Sequence, residues 1–272
     1  MSYALVTGAA KGIGNAIAAE LAAKGYHLLL VDIDANRLPQ AAENLRNSYG
    51  TNVEILILDL SETNAAQQLK EWSRPWHKEL TTVVNNAGFG LNGAFETIPL
   101  AEQLNIIDVN IKAQLQIAYA FLPVLRSFKQ AYLLNVGSTT CYQSVPYLAV
   151  YAASKSFVIS FTRSLRYELK DSPVSVSCLI PGSTDTDFVH RAHMGPRILK
   201  TAERFNMSAE EVGRIAVKGL FSKKAEIIPG FTNRLNAWLP KFFPKILAER
   251  IGAKIYKPET GSIPAQPAVS SY

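Results

Sequence analysis

The chain has 272 residues, 48% hydrophobic, 18% charged and 10% aromatic, with 16 Gly and 14 Pro. That mixture excludes a disordered, collagen-like or low-complexity chain, and at this size folding buries about three quarters of the unfolded surface, enough for a core without staples. The formal charge of +6 is local: Lys218 to Lys257 carries nine Lys or Arg against two Glu, which leaves the remainder close to neutral and argues against nucleic acid as a partner, since no recognition motif accompanies it.

Strands and helices alternate from the first residues. In chain order the pattern predicts strand Ala4 to Val6, helix Gly12 to Lys24, strand Leu28 to Val31, helix Asn36 to Ser48, strand Val53 to Leu58 and helix Asn64 to Trp72. Strand Thr82 to Asn85, helix Leu100 to Phe128, strand Tyr132 to Val136 and helix Val150 to Lys170 follow. Strand Val174 to Ile180, helix Ser208 to Ser222 and strand Glu226 to Pro229 complete the set. The strands show little polar alternation, as expected of strands buried on both faces of a parallel sheet. Gly25 reads as the residue ending the first helix, and Ser208 with Glu211 as a capping box starting a later one. The expected fold is α/β, a Rossmann-like, doubly wound parallel sheet of about seven strands with helices on both faces. One domain is expected over 1–230, followed by a basic amphipathic extension and irregular tail over 231–272.

Cys141 and Cys178 form no CxxC and have no neighbouring His pair, so neither a disulfide framework nor a zinc site is expected, and a cytoplasmic setting fits. His27, His77, His190 and His193 are not grouped with carboxylates at ligand spacing, so no metal is expected. The residues before the first strand leave no room for a secretion signal, and apolar runs such as Leu28 to Val31 are too short to span a bilayer.

Thr7 to Gly14 reads Thr-Gly-Ala-Ala-Lys-Gly-Ile-Gly, a Gly-rich turn opening a helix. Gly8, Gly12, Ile13 and Gly14 would bring backbone N–H groups and a helix N-terminus to a pyrophosphate. Asp32 ends the next strand, where an acid accepts hydrogen bonds from an adenosine ribose. Tyr151 and Lys155 lie one helical turn apart on one face, where the cation favours the phenolate and lowers the Tyr pKa.

With Asp59-Leu60, Asn85-Asn86-Ala87-Gly88, Asn110, Ser138 and Pro181-Gly182 followed by Thr186, these landmarks make the chain similar to the short-chain dehydrogenase/reductase family over about residues 3 to 230. The resemblance implies catalytic roles for Asn110, Ser138, Tyr151 and Lys155. Tyr151 would be the acid/base, Ser138 would hold the reacting oxygen, Lys155 would hold the nicotinamide ribose and tune Tyr151, and Asn110 would position a relay water. It also implies cofactor contacts from Gly8, Lys11, Gly12, Ile13, Gly14, Asp32, Asp59, Leu60, Asn86, Ala87, Gly88, Tyr151, Lys155, Pro181, Gly182, Thr184 and Thr186. Asp32 points to NAD, because a carboxylate repels a 2′-phosphate; Lys11 points the other way, to NADP, and Asp32 is given the greater weight.

The substrate segments after Asn86, Ser138 and Gly182 read apolar and aromatic, with His190, Arg191, His193, Arg197 and Lys200 in the third. The expected activity is NAD(P)-dependent interconversion of an alcohol and a ketone on a lipophilic small molecule. A 3-oxoacyl reductase using NADPH and a non-catalytic NAD-binding regulatory protein are the alternatives. A homodimer or homotetramer is expected from the resemblance. The basic, aromatic-rich stretch from Lys218 to Lys257 would pack on the core or a partner subunit, or lie on a membrane surface.

Overall fold

The computed structural model describes residues 2–185, Ala192, 206–239 and 244–258. Six strands, β1 (Tyr3–Thr7), β2 (His27–Asp32), β3 (Val53–Ile57), β4 (Leu80–Asn85), β5 (Ala131–Val136) and β6 (Val174–Leu179), run parallel. Two short strands, β7 (Thr184–Asp185) and β8 (Met207–Ser208), pair apart from them, a small sheet that the sequence pattern missed. Strand β9 (Glu226–Ile227) closes the main sheet, whose order is β3-β2-β1-β4-β5-β6-β9. The seven-stranded, doubly wound parallel sheet expected from the sequence is therefore present. Its order reverses between β1 and β4, which opens a crevice at the carboxyl ends of those strands.

Each face of the sheet is covered by its own helices. On one side α1 (Gly12–Ala23), α2 (Arg37–Tyr49) and α7 (Ala209–Phe221) bury Ile17, Leu21, Leu38, Leu45, Val212 and Leu220 against Val6, Leu28 and Leu30. On the other, α3 (Ala65–Ser73), α5 (Gln114–Leu125) and α6 (Ala149–Glu168) bury Leu69, Ile117, Phe121 and Leu165 against Leu5, Leu29 and Leu133. Successive strand residues feed opposite layers, which is why the strands read as continuous apolar runs. Gly25, at φ +84°, ends α1 as expected, and the Ser208 hydroxyl accepts from the Glu211 N–H at 3.1 Å to cap α7.

The single helix expected over 100–128 is instead three segments in succession. α4 (Leu100–Ile107) passes into a π-helical stretch (Asp108–Ala113) before α5 begins. One inserted residue per turn leaves the apolar repeat on either side intact, so periodicity alone does not reveal it. Beyond the sheet, α8 (Phe231–Trp238) and α9 (Lys245–Tyr256) form the C-terminal extension. Among its described residues several apolar side chains are exposed: Phe231 is 79% exposed, Ile246 58% and Ile251 54%. Among the described residues of this segment, Ala237 and Gly252 are buried.

Candidate active site

The Gly-rich turn is built by close backbone approach. Gly8 and Gly12 take φ +64° and +58°, a region L side chains avoid, and a Cβ on Gly14 would stand 2.1 Å from the Gly8 carbonyl. Lys11 occupies the N-cap of α1 without a side-chain cap, and no acid lies in the first turn, so the first amides of α1, including those of Ile13 and Gly14, keep their character as an anion site. Asp32, at the end of β2, faces this turn. Its carboxylate accepts from the Ala10 N–H at 2.9 Å and the Asp34 N–H at 3.0 Å. Glycine backbone, helix N-terminus and the Asp32 carboxylate thus stand together at the carboxyl ends of β1 and β2.

The Asn-Asn-Ala-Gly stretch serves as a frame around that turn. Thr7, buried at the end of β1, accepts from the N–H groups of Asn86 (3.0 Å) and Ala87 (3.1 Å) through its hydroxyl. The Asn86 amide donates to the carbonyls of Thr7 (2.9 Å) and Gly8 (3.0 Å), binding the β1 and β4 turns into one unit. In the sequence Thr7 stands only as the first residue of the Gly-rich motif, with no role assigned to it; its position at a strand end beside the first motif glycine was the available signal. Gly88 is a clearance: a Cβ there would meet the Asn110 Oδ1 at 2.9 Å and the Lys155 Nζ at 3.1 Å.

Asn110, fully buried, projects from the π-helical stretch. Its side chain accepts from the Phe89 N–H (3.0 Å) and donates to the Phe89 carbonyl and the Ser154 hydroxyl (2.9 Å each). The side chain thus holds the loop after β4 against α6. π-Turns inside helices occur often at functional sites, and here the turn is what delivers Asn110.

Ser138 follows β5 and caps the short helical turn Thr139–Tyr142, accepting from the Thr140 N–H at 3.2 Å. Its hydroxyl is also close enough to the Tyr151 phenol to favour the phenolate. Tyr151 and Lys155 project from the first turns of α6 and are buried, at 8% and 4% exposure. The Lys155 ammonium donates to the Val136 carbonyl at 3.0 Å and lies 5.7 Å from the Tyr151 ring centre. Burial draws Lys155 down to about 8. The expected lowering of the Tyr151 pKa is not found: burial pushes the phenol well above its ordinary range, and the Ser138 hydroxyl offsets this in part. Gly90 lies on the Tyr151 ring, since a Cβ there would come within 2.8 Å of it.

The remaining predicted contacts are more dispersed. Asp59 accepts from the backbone and hydroxyl of Ser61 in a local turn, and Leu60 packs into the core. Pro181 accepts from the Thr139 N–H at 2.9 Å through its carbonyl, which ties the loop after β6 to that bearing Ser138. Gly182 lies against Asn233 of α8, and the Thr184 hydroxyl donates to the Gly182 carbonyl at 3.2 Å. Thr186 and the expected substrate-segment residues His190, Arg191, His193, Arg197 and Lys200 lie outside the described residues. Among the described residues no cluster suits a metal ion, and no helix is long and apolar enough to cross a membrane.

Residues 2–195 match the family described as short chain dehydrogenase. The chain is 34% identical over 235 residues to 1-deoxy-11-beta-hydroxypentalenate dehydrogenase of Streptomyces avermitilis, covering 85% of this chain and 84% of the relative. A short-chain dehydrogenase from Sphingobium yanoikuyae in complex with NADPH superposes with a TM-score of 0.79 at 26% identity, over 90% of this chain and 97% of that one. A short chain dehydrogenase/reductase from Burkholderia phymatum in complex with NAD has the same fold, with a TM-score of 0.79 at 22% identity over 88% and 92%. The chain therefore belongs to the short-chain dehydrogenase/reductase family, as an NAD(P)-dependent oxidoreductase acting on CH–OH groups.

Proposed function

We propose that the protein interconverts an alcohol and a ketone on a lipophilic small molecule, with Tyr151 as acid/base. The observation that carries this reading is the grouping of buried Ser138, Tyr151 and Lys155 at the carboxyl edge of the sheet, with the Lys155 ammonium on the Val136 carbonyl and 5.7 Å from the Tyr151 ring centre. In reduction Tyr151 gives its proton to the carbonyl oxygen while Ser138 donates a hydrogen bond to the same oxygen. In oxidation Tyr151 takes the hydroxyl proton back. The nicotinamide, when bound, supplies or accepts the hydride. Lys155 would orient its ribose, and Asn110, holding Phe89 and Ser154, keeps the loop over Tyr151 in place. Burial keeps the Tyr151 phenol protonated, the form that gives up a proton in reduction, while oxidation, which needs the deprotonated form, gains as pH rises. Buried Phe89, Leu91 and Val145 support an apolar substrate, as does the relative named for a hydroxypentalenate.

For the cofactor we favour NAD, supported by the Asp32 carboxylate fixed on the Gly-rich turn. Arg37, which was not singled out from the sequence, joins Lys11 on the opposing side of the argument: it lines a groove of about 640 Å³ with Ala10, Asn15 and Asn36. Titration of NADH and NADPH by cofactor fluorescence, on wild type and Asp32→Ala, separates the two. The expected result is NADH preference that relaxes at least tenfold in the variant; NADPH preference in wild type overturns it and brings forward the carrier-bound 3-oxoacyl reductase reading.

The same proposal takes the single domain as 1–230 and the extension as 231–272, in a cytoplasmic setting supported by two free thiols. It takes the molecule as a homo-oligomer through α4, α5 and α6, where Leu104, Leu115, Tyr119 and Tyr167 are exposed. The extension contacts an anionic membrane surface, supported by exposed Phe231, Leu235, Leu247 and Ile251 beside Arg234, Lys245, Arg250 and Lys254.

A further inference from the structure

Tyr256, the last residue of α9, is joined to the loops that enclose Tyr151. The Asn92 amide donates to the Tyr256 carbonyl at 2.9 Å and to the Tyr147 carbonyl at 3.2 Å. The Gly93 N–H adds a second bond to Tyr147, at 3.0 Å. Tyr147 has φ +66°, a costly conformation for an aromatic residue that persists only where surrounding contacts hold it. One turn before Tyr256, Gly252 is buried against Ser144 and Pro146, with a hypothetical Cβ 3.4 Å from the proline ring. The Tyr256 side chain packs on Val145, Leu148 and Ala152.

Two of the segments that meet Tyr256 also border the acid/base. Ala152 follows Tyr151 in α6, and Gly90, two residues before Asn92, covers the Tyr151 ring. Three segments, 89–93, 144–148 and the start of α6, thus meet at Tyr256. Leu247, Ile251 and Ile255 remain exposed on α9, and within that helix Gly252 alone is fully buried. A helix with so small a buried face adds little to a core, whereas Gly252 and Tyr256, one turn apart, both face the site.

We propose that Tyr256 is a specificity-determining wall of the substrate cleft, carried there by α9, and that its ring limits the bulk of the group accepted beside the reacting carbon. The inference rests on the alcohol/ketone reading above. A phenol at this place acts by shape, so it discriminates between substrates without taking part in the proton transfer. It also lies within electrostatic reach of Tyr151, whose phenol it helps to keep protonated.

The test uses the full chain with Tyr256→Ala and Tyr256→Phe, and aryl ketones of graded bulk as substrates with saturating cofactor. Removing a ring from a hydrophobic wall changes discrimination by about ten- to a hundredfold. Tyr256→Ala is expected to raise kcat/KM for the bulkiest ketone relative to the smallest by that order, mostly through KM. Tyr256→Phe should retain the wild-type size order, and cofactor Kd should stay unchanged in both. An identical size order in wild type and Tyr256→Ala, or its loss in Tyr256→Phe, overturns the wall. If wild type reduces none of the ketones, the alcohol/ketone reading fails. The wall is then judged from ketone Kd values on the cofactor-loaded protein, where an unchanged order in Tyr256→Ala overturns it.

Discussion

Lys155 carries its ammonium into a site with 4% exposure, bonded to the Val136 carbonyl, and burial lowers its pKa from 10.5 to about 8. Between those two values the unfolded chain binds a proton that the folded chain has lost, so this group makes the protein more stable as pH rises through that window. The gain is of order 1 kcal/mol per pH unit. Urea unfolding of wild type and Lys155→Met at pH 8 and 10 checks it: wild type should gain stability relative to the variant at the higher pH, and a constant difference would contradict a buried, proton-releasing lysine. The pairing of Tyr151 with Lys155 was legible in the sequence, because residues four apart share a helix face. The upward direction of the Tyr151 shift was not, because it comes from burial under Gly90, a contact made by a different segment.

At the scale of elements, the Gly-rich turn and the π-helical stretch do the positioning. A Gly14→Ala substitution would place a Cβ 2.1 Å from the Gly8 carbonyl and 2.4 Å from the Asn86 amide, so α1 must move off the β1 turn. We expect a loss of about 1–3 kcal/mol or more, seen as a fall of several degrees in Tm and as weakened cofactor binding. Unchanged melting and binding would show that the turn tolerates the displacement. Such a clash follows from motif glycines whose purpose the sequence already exposed. The break in the helix over 100–128 was hidden for the opposite reason: Ile106, Ile117 and Phe121 keep an apolar face through it, and only the backbone records the extra residue per turn. Asn110 was found by its family position, but its partners Phe89 and Ser154 are separated from it by 21 and 44 residues, beyond any local pattern.

For the whole molecule, the chain order of strands and helices led directly to the parallel sheet, since each buried strand needs a covering helix and right-handed crossovers leave few topologies. The C-terminal extension was less legible. Its basic, aromatic composition fitted both a packed and an exposed segment, and the two helices prove to do some of each: Gly252 and Tyr256 turn inward while Phe231, Leu247 and Ile251 remain exposed. Co-sedimentation with vesicles containing anionic lipid tests the outward face. Binding should fall at least several-fold in a Phe231→Ser, Leu247→Ser, Ile251→Ser variant and with added salt. Vesicle binding unaffected by these changes, or a variant that shifts only from dimer to monomer, would assign that face elsewhere.

The central claim is that Tyr151 transfers the proton to the substrate oxygen. Its most direct test is single-turnover reduction of an aryl ketone by cofactor-loaded wild type and Tyr151→Phe, followed by loss of nicotinamide fluorescence, with cofactor Kd measured in parallel. The account predicts a rate lower by about 10²–10⁴-fold in the variant with cofactor Kd unchanged; an equal rate in the two proteins would contradict it.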